Sequence, residues 1–185
     1  EGQDFNNNLF QAVLHYMIDP AINPLIIFTD PNQNLFIQNS SDMPDYNKYF
    51  DIRYHLNGTY RVSEEIRKYI NTMVPPTYTI PHSYIEGGEI FEWSYSNDLE
   101  QKKQIQKCVD NLLKKQIPNT KIMILSFKHL KQSSISEGLD HFIIIDGTKK
   151  QTLLSELKKN EIIFYTVRTS KGLEADAVLL IDLPG

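Results

Sequence analysis

The stretch IIFYTVRTSKGLEADAVLLIDL, residues 162–183, decides the fold class. It contains two apolar runs, IIFYTV (162–167) and AVLLIDL (177–183), each with the length of a buried strand. Between them lies a charged segment that includes Lys171 and Gly172, and glycine permits backbone turns that other residues disfavour. The stretch therefore predicts two buried strands with a polar loop between them.

The second half of the chain repeats this alternation of apolar runs and helices. The run KIMILSF (121–127) is almost continuously apolar, as expected for a parallel strand that is covered on both faces. FIII (142–145) predicts another strand, residues 98–116 predict an amphipathic helix, and residues 150–159 predict a short helix. The alternation predicts an α/β fold, with a mostly parallel sheet flanked by helices.

The first half is interpreted on the same grounds. Residues 4–18 carry apolar side chains at helical spacing and predict an amphipathic helix. LIIFT (25–29) and FDIRYHL (50–56) predict short strands. Ser63 is placed to cap a helix that two prolines end, and residues 77–96 predict a strand, a turn and a second strand.

Composition excludes several classes of protein. The chain has 185 residues, a formal net charge of −4 and one cysteine. The negative charge argues against a basic nucleic-acid-binding module, so any nucleic-acid contact must use a local surface. A single cysteine fits a reducing compartment, and we expect a cytoplasmic location. No apolar run reaches the roughly 18 residues of a membrane span, so we expect no membrane partner.

Metal sites and chain boundaries give two further expectations. The five histidines and one cysteine show no metal-ligand spacing, so no metal site is predicted from the residues of this chain. The chain begins EGQDF, without a methionine, and we expect it to be a segment of a larger protein.

Three predicted strands end in polar or charged segments: DPNQ (30–33), NGTYR (57–61) and residues 168–176. Ligands of open parallel sheets bind outside the carboxyl ends of strands, so these segments are candidate binding residues. Each has a plainer interpretation when taken singly. DPNQ is a good turn sequence, and the segment around Gly172 could be a solvated loop.

The order of four segments along the chain resembles the conserved boxes of superfamily 1 helicases of the UvrD/Rep type. EGQDF (1–5) resembles the Asp-Glu-x-Gln box without its leading aspartate, and FTDPNQNLF (28–36) resembles the Gly-Asp-x-x-Gln box. LNGTYRVSEEI (56–66) resembles the Asn-Tyr-Arg-Ser box. The segment TVRTSKGLEADAVLLIDL (166–183) resembles Thr-x-His-x-x-Lys-Gly-Leu-Glu and is the most specific of the four.

The chain departs from the family pattern at four positions. Thr29 stands where the family has Gly, and Thr59 stands where it has Asn. Val62 replaces Ser, and Arg168 replaces His. These departures leave open a second function, that of a helicase-derived nucleic-acid-binding or regulatory module that does not hydrolyse ATP.

The resemblance implies three residues that act at the γ-phosphate of ATP. Glu1 matches the general base that acts on the attacking water, and Gln33 matches the glutamine that senses the γ-phosphate. Arg61 matches an arginine that reaches the γ-phosphate, a role suited to a planar cation that binds phosphate bidentately.

The resemblance also implies residues that hold the rest of the nucleotide. Tyr60 matches the ring that stacks on adenine, and Glu174 matches the carboxylate that accepts a hydrogen bond from the ribose hydroxyl. By the same resemblance, Asp30, Lys171 and Gly172 belong to the nucleotide-binding set.

Three further residues are implied to contact single-stranded DNA. Phe36 lies where the family has an aromatic ring near the strand, and stacking of bases on such a ring tolerates any sequence. Thr166 and Arg168 match positions that contact the nucleic-acid backbone. DNA is favoured over RNA because the continuation through Phe36 resembles the DNA-directed branch.

The family implies a RecA-like P-loop NTPase fold. Residues 1–47 would be the end of the first RecA-like domain with its linker, and residues 48–185 would be the second domain without its last motif. No Gly-x-x-x-x-Gly-Lys-Ser/Thr loop occurs in the chain. We therefore expect ATP and Mg²⁺ to act in the complete protein, an ATP-dependent DNA helicase or translocase with a role in DNA repair. This segment alone, without the rest of the N-terminal RecA-like domain, is expected to be inactive and to bind neither.

Overall fold

The computed structural model of the chain describes residues 5–16, 25–29, 44–50, 52–54, 57–75, 79–149 and 154–183. The chain forms two compact units, Glu1–Phe91 and Glu92–Gly185. Each unit is described by itself below. The division into RecA-like domains at residues 47 and 48 stays a prediction.

Two predicted helices of the first unit are confirmed. Helix α1 spans Asn7–Tyr16, and helix α2 spans Glu64–Met73. In α1 the side chain of Phe10 is fully buried because the rings of Tyr46 and Tyr49 pack edge-on against it, each with its centroid 5.1 Å away. This aromatic cluster holds α1 against the segment that surrounds residues 46–48, a single 3₁₀ turn.

The strands predicted in the first unit are wrong wherever the structure describes them. Residues 25–29 and 52–54 have no regular secondary structure, and Ile26 and Phe28 are about three-quarters exposed. Residues 79–95 lack the predicted pair of strands and form only one isolated parallel bridge, between Thr59 and Ser83. Apolar runs this short become strands only when a neighbouring strand offers backbone partners.

The backbone of the segment after α2 is bonded to side chains of that helix. The side chain of Asn71 donates to the carbonyl of Ile80 at 2.9 Å and accepts from the amide of the same residue at 2.9 Å. Arg67 donates to the Ile80 carbonyl as well, also at 2.9 Å. Because these groups already have partners, the segment has less to gain from forming a strand.

The second unit is an α/β domain, as predicted. Its strands, within the residues that the structure describes, are β1 (Ile122–Ser126), β2 (Ile143–Asp146), β3 (Glu161–Thr166) and β4 (Ala177–Ile181). They form one sheet in the order β2-β3-β1-β4, and every neighbouring pair is parallel. The apolar runs correctly predicted these four parallel strands. Only β1 and β3 are buried along most of their length, whereas Ile143 of β2 and Val178 and Leu180 of β4 are about half exposed.

Helix α3, Asp98–Lys114, confirms the helix predicted before the sheet. Its N-cap is Asn97, whose side chain accepts from the backbone amide of Glu100 at 2.9 Å. In return, the carboxylate of Glu100 accepts from the amide of Ser96 at 2.8 Å, so two donors at the helix start are satisfied reciprocally. This local signal explains why the start of α3 was predictable.

Both faces of the sheet carry buried side chains. The face that packs with α3 includes Ile124, Ile162 and Phe164 from the sheet, each fully buried. The opposite face includes Ile163 and Tyr165, which pack with Leu157. The helix predicted at residues 150–159 is, in its described part, a single 3₁₀ turn, Leu154–Glu156. One turn is enough to bring Leu157 over the sheet.

None of the helices that the structure describes is both long enough and apolar enough to cross a bilayer.

Candidate nucleotide and nucleic-acid site

The loop that contains Lys171 and Gly172 leaves the carboxyl end of β3. The backbone amide of Val167 donates to the carbonyl of Ser126 at 3.0 Å, so the chain stays paired with β1 for one residue past the strand. It then turns away from the sheet. Because all four strands are parallel, their carboxyl ends lie at one edge, the edge where ligands of open α/β sheets bind.

The first residues of this loop form a tight turn around two threonines. The hydroxyls of Thr166 and Thr169 lie 2.9 Å apart and share a hydrogen bond, and the Thr166 carbonyl accepts from the Thr169 amide at 3.0 Å. Arg168 lies between them in the turn and is exposed. The structure therefore brings together Thr166 and Arg168, the two residues of this unit predicted to contact nucleic acid.

The second part of the loop holds the three predicted nucleotide-binding residues of this unit. Gly172 has φ +83°, and a Cβ atom added there would meet nothing within 4 Å. The glycine is therefore required by its left-handed backbone and not by lack of space. Lys171, directly before Gly172, is partly exposed, and Glu174, two residues after Gly172, is exposed.

An ion pair marks the return of the loop to the sheet. The ammonium of Lys121, just before β1, lies 2.8 Å from the carboxylate of Asp176, just before β4. Both side chains are more than half exposed, so water screens their attraction and the pair adds little stability. It joins the amino ends of two neighbouring strands.

A buried polar cluster, which the sequence analysis missed, lies at the carboxyl ends of β1 and β4. Asp182 is 3% exposed, and its carboxylate accepts from the hydroxyl of Ser126 at 2.7 Å. Gln101 of α3 is also buried, and its amide nitrogen, oriented to satisfy its neighbours, donates to Asp182 at 3.0 Å and to Ser134 at 2.8 Å. Its oxygen accepts from the Tyr95 hydroxyl at 3.1 Å and from the Asp182 amide at 2.8 Å.

We name these five residues, Tyr95, Gln101, Ser126, Ser134 and Asp182, the strand-end cluster. The signal in the sequence was a single acidic residue inside the apolar run AVLLIDL. The cluster ties the first turn of α3 to the carboxyl ends of β1 and β4.

In the first unit, Tyr60 and Arg61 follow a short turn at Thr59. The hydroxyl of Thr59 accepts from the backbone amides of Arg61 at 3.1 Å and Val62 at 3.4 Å. Asn, which superfamily 1 helicases have in the box that this segment resembles, makes turns of the same kind with its side-chain oxygen. Tyr60 and Arg61 are both exposed.

The ring of Tyr60 stacks on the ring of Tyr84. Their centroids are 4.3 Å apart, and the planes differ by 14°. His82 meets Tyr84 edge-on, with centroids 4.6 Å apart. Tyr84 was not among the predicted site residues, although His82 and Tyr84 alternate in the sequence as the two residues on one side of an extended segment do.

The start of α2 lies directly after Arg61. Ser63 is the N-cap, as predicted, but its hydroxyl makes no capping bond and is buried without a hydrogen-bond partner among the described residues. The amides of Glu64 and Glu65 donate instead to the carbonyls of Ile85, at 2.8 Å, and Gly87, at 3.2 Å. Backbone carbonyls therefore replace the side-chain cap that the sequence predicted.

A carboxylate–guanidinium pair strengthens the first turn of α2. Two nitrogens of Arg67 donate to the two carboxylate oxygens of Glu64, each at 2.7 Å. The hydrogen bond from Arg67 lowers the pKa of Glu64, and the hydrogen bond to Glu64 raises the pKa of Arg67. Arg67 is thus engaged within the unit.

Four predicted site residues, Glu1, Asp30, Gln33 and Phe36, lie outside the described residues. The others divide between the units. Tyr60 and Arg61 lie together in the first unit, and the second unit holds Thr166, Arg168, Lys171, Gly172 and Glu174. Their proposed roles stay predictions.

Within the described parts of the chain, no three His, Cys, Asp or Glu side chains are grouped so that they could hold a metal ion. Comparison of the chain with models of known protein families, with curated proteins and with solved structures finds no match.

Proposed function

We propose that this chain is part of a RecA-like, ATP-driven motor that moves along single-stranded DNA. One observation carries the proposal. The segment Lys-Gly-Leu-Glu (171–174) leaves the carboxyl end of β3 and leads into β4, in a sheet whose strands are all parallel. That is the position at which such sheets bind ligands, and the motif there resembles the most specific box of superfamily 1 helicases.

Each unit carries residues that the resemblance assigns to the nucleotide. Tyr60 offers an aromatic face to adenine, and Arg61 offers a planar guanidinium that can bind phosphate oxygens in pairs. Glu174 and Lys171 would bind the ribose and phosphate portions. Arginine at a transferring phosphoryl group stabilises the charge that develops there, and it contributes most when it is held in place before the reaction.

The nucleic-acid strand would contact the turn at the start of the same loop. Arg168 is an exposed cation in that turn, and a cation attracts the phosphate backbone whatever the base sequence. The Thr166 hydroxyl, which lies against Thr169, is a second polar group at this position. Nucleotide and strand would then act on the two ends of one short loop, which is a physical route for coupling hydrolysis to movement.

ATP and Mg²⁺ would be bound by the complete protein. The residues described here fit a nucleotide in part, since they offer an exposed ring, an exposed guanidinium and a carboxylate. They include no loop of the phosphate-cradling kind. When bound, Mg²⁺ would neutralise charge on the phosphates. Glu1 would hold the attacking water, and Gln33 would report on the γ-phosphate.

The alternative function is a helicase-derived module that binds nucleic acid without hydrolysis. The departures Thr29, Thr59 and Arg168 favour it. The geometry weakens the argument from Thr59, because the Thr59 hydroxyl makes the turn that an Asn would make. Arg168 keeps a phosphate-binding group in place of His. The motor is therefore the proposal that the site supports best.

The test is ATP hydrolysis by the complete protein, with and without single-stranded DNA. Arg61→Ala is expected to lower the DNA-stimulated rate by about 10³-fold or more, the range measured when a phosphate-reaching arginine is removed. Lys68→Ala is the matched control, since Lys68 is an exposed cation nearby on α2 that pairs with Glu65. A wild-type protein that binds single-stranded DNA and hydrolyses no ATP would favour the module. Stimulation by RNA alone would overturn the choice of DNA.

A further inference from the structure

The two stacked tyrosines of the first unit are unusual in remaining largely open to solvent. Tyr60 is 76% exposed and Tyr84 is 51% exposed, although their rings lie nearly parallel at 4.3 Å. A ring pair that serves stability is normally buried, because most of its contribution comes from removing apolar area from water. This pair leaves most of the Tyr60 ring uncovered.

The backbone determines that the two rings meet. Thr59 and Ser83 form a parallel bridge, in which the Thr59 amide donates to the carbonyl of His82 at 2.9 Å and the Tyr84 amide donates to the carbonyl of Thr59 at 3.0 Å. The next residue on each segment is a tyrosine. Neighbours in a parallel pair point to the same side, so the bridge aligns Tyr60 with Tyr84.

The side chain of Ser83 stabilises the alignment of the two tyrosines. It is 6% exposed, and its hydroxyl donates to the carbonyl of Val62 at 2.6 Å and accepts from the amide of Ile85 at 3.1 Å. The first bond links the two segments, and the second lies within the segment that carries Tyr84. The buried Ser83 hydroxyl therefore holds the backbone at both tyrosines, while their rings stay exposed.

Gly58 leaves the space that the ring of Tyr84 occupies. A Cβ atom at Gly58 would lie 2.7 Å from Cε2 of Tyr84 and 3.0 Å from the carbonyl oxygen of His82. Both distances are shorter than ordinary van der Waals contact. Even alanine at position 58 would therefore push the Tyr84 ring from its place beside Tyr60.

We propose that Tyr84 is a positioning residue that backs the ring of Tyr60, so that the outer face of Tyr60 receives the adenine of ATP. This inference rests on the proposed function. One face of Tyr60 lies against Tyr84, and the ring is therefore ordered before a ligand arrives. Ordering a side chain only on binding weakens affinity, and a ring that is ordered in advance avoids that cost. Stacking on Tyr60 would extend the pair to three parallel rings.

The experiment is an NMR titration of the complete protein with ¹³C-labelled tyrosines, because the chain alone is expected to bind no ATP. The ligands are ATP and inorganic tripolyphosphate, which carries phosphates without a base. ATP is expected to shift the ring signals of Tyr60 through the ring current of adenine, and tripolyphosphate is expected to leave them in place.

The variants separate positioning from general damage. Tyr84→Ala is expected to weaken the ATP affinity by about two- to tenfold, the effect of ordering one side chain on binding, and to leave the tripolyphosphate affinity unchanged. Tyr84→Phe keeps the stack and should restore the ATP affinity. Gly58→Ala should act like Tyr84→Ala. Tyr54→Ala, which removes another exposed tyrosine of this unit, is the control and should change nothing.

The outcomes distinguish the inference from the proposed function. If ATP shifts Tyr60 more than tripolyphosphate does, and Tyr84→Ala binds ATP as tightly as wild type, the role of Tyr84 is overturned and the nucleotide site stands. If ATP and tripolyphosphate act alike on Tyr60, or neither acts, then no base stacks on this ring. That result overturns both the inference and the nucleotide-binding role of Tyr60 in the proposed function.

Discussion

Replacing Asp182 by alanine tests whether the strand-end cluster holds the second unit together. The carboxylate accepts hydrogen bonds from Ser126 at 2.7 Å and from the Gln101 amide at 3.0 Å. All three residues are buried, at 3% exposure or less. Asp182→Ala leaves the hydroxyl and the amide without this acceptor in a place where water cannot replace it.

Each buried donor that loses its acceptor costs roughly 1–3 kcal/mol. Asp182 also has φ +52°, a left-handed conformation that costs alanine about 1 kcal/mol. Removing the carboxylate relieves the cost of burying a charge, which offsets part of the loss. We therefore expect Asp182→Ala to lower the free energy of unfolding by about 2–4 kcal/mol. Asp182→Gly should be about 1 kcal/mol less harmful, because glycine adopts this φ without strain.

The assay is urea unfolding followed by the fluorescence of Trp93, the single tryptophan of the chain, which belongs to the second unit. Asp176→Ala is the matched control, since Asp176 carries the same carboxylate in an exposed ion pair, and it should cost about 0–1 kcal/mol. Equal losses for Asp182→Ala and Asp176→Ala would refute the reasoning, because burial and hydrogen bonding would then make no difference.

Three further predictions concern activity, acid stability and a close contact. A pure sample of the chain alone should not hydrolyse ATP, because its sequence lacks a phosphate-cradling loop, and turnover above a protein-free blank would contradict this. Arg67 lowers the pKa of Glu64, so this pair should stabilise the first unit above the unfolded-state pKa of Glu64 and lose that effect as the pH falls through its folded-state pKa. The stabilities of wild type and Glu64→Gln, followed by circular dichroism across the acid range, should therefore converge at low pH. Gly88→Ala should destabilise the chain by about 2 kcal/mol or more in thermal unfolding, because φ is +96° and a Cβ atom would overlap the Ser63 hydroxyl and lie 3.0 Å from the Ser63 Cβ. Gly87→Ala, with φ +81° and no atom nearby, should cost only about 1 kcal/mol, and equal costs would exclude the contact with Ser63 as the cause.

The sheet of the second unit was predictable because local sequence and tertiary structure favour the same result. The runs that contain Ile124 and Phe164 are long, apolar and rich in β-branched or aromatic residues, and each lies between two covered faces. Helix α3 adds a capping sequence at Asn97 and Glu100 that acts over four residues. Such signals need no knowledge of distant neighbours.

The first unit was predicted less well because its bonds depend on distant side chains. Nothing local to Ile80 indicates that Asn71 will satisfy both its amide and its carbonyl. The stack of Tyr60 on Tyr84 depends on a bridge between segments 24 residues apart, Thr59 and Ser83. An apolar or aromatic run predicts a strand only when the partner strand is also known, and here side chains served as partners.

Departures from a family pattern carry weight only if the atoms at those positions can no longer perform the expected contact. At Thr59 the hydroxyl accepts from two backbone amides, so a side-chain turn survives the loss of Asn. At Arg168 an exposed guanidinium replaces an imidazole, and it is the better phosphate ligand of the two. Neither change removes a function that a motor requires. The choice between motor and module therefore depends on Arg61, which in the proposed motor would supply a positive charge at the γ-phosphate that a neutral side chain could not.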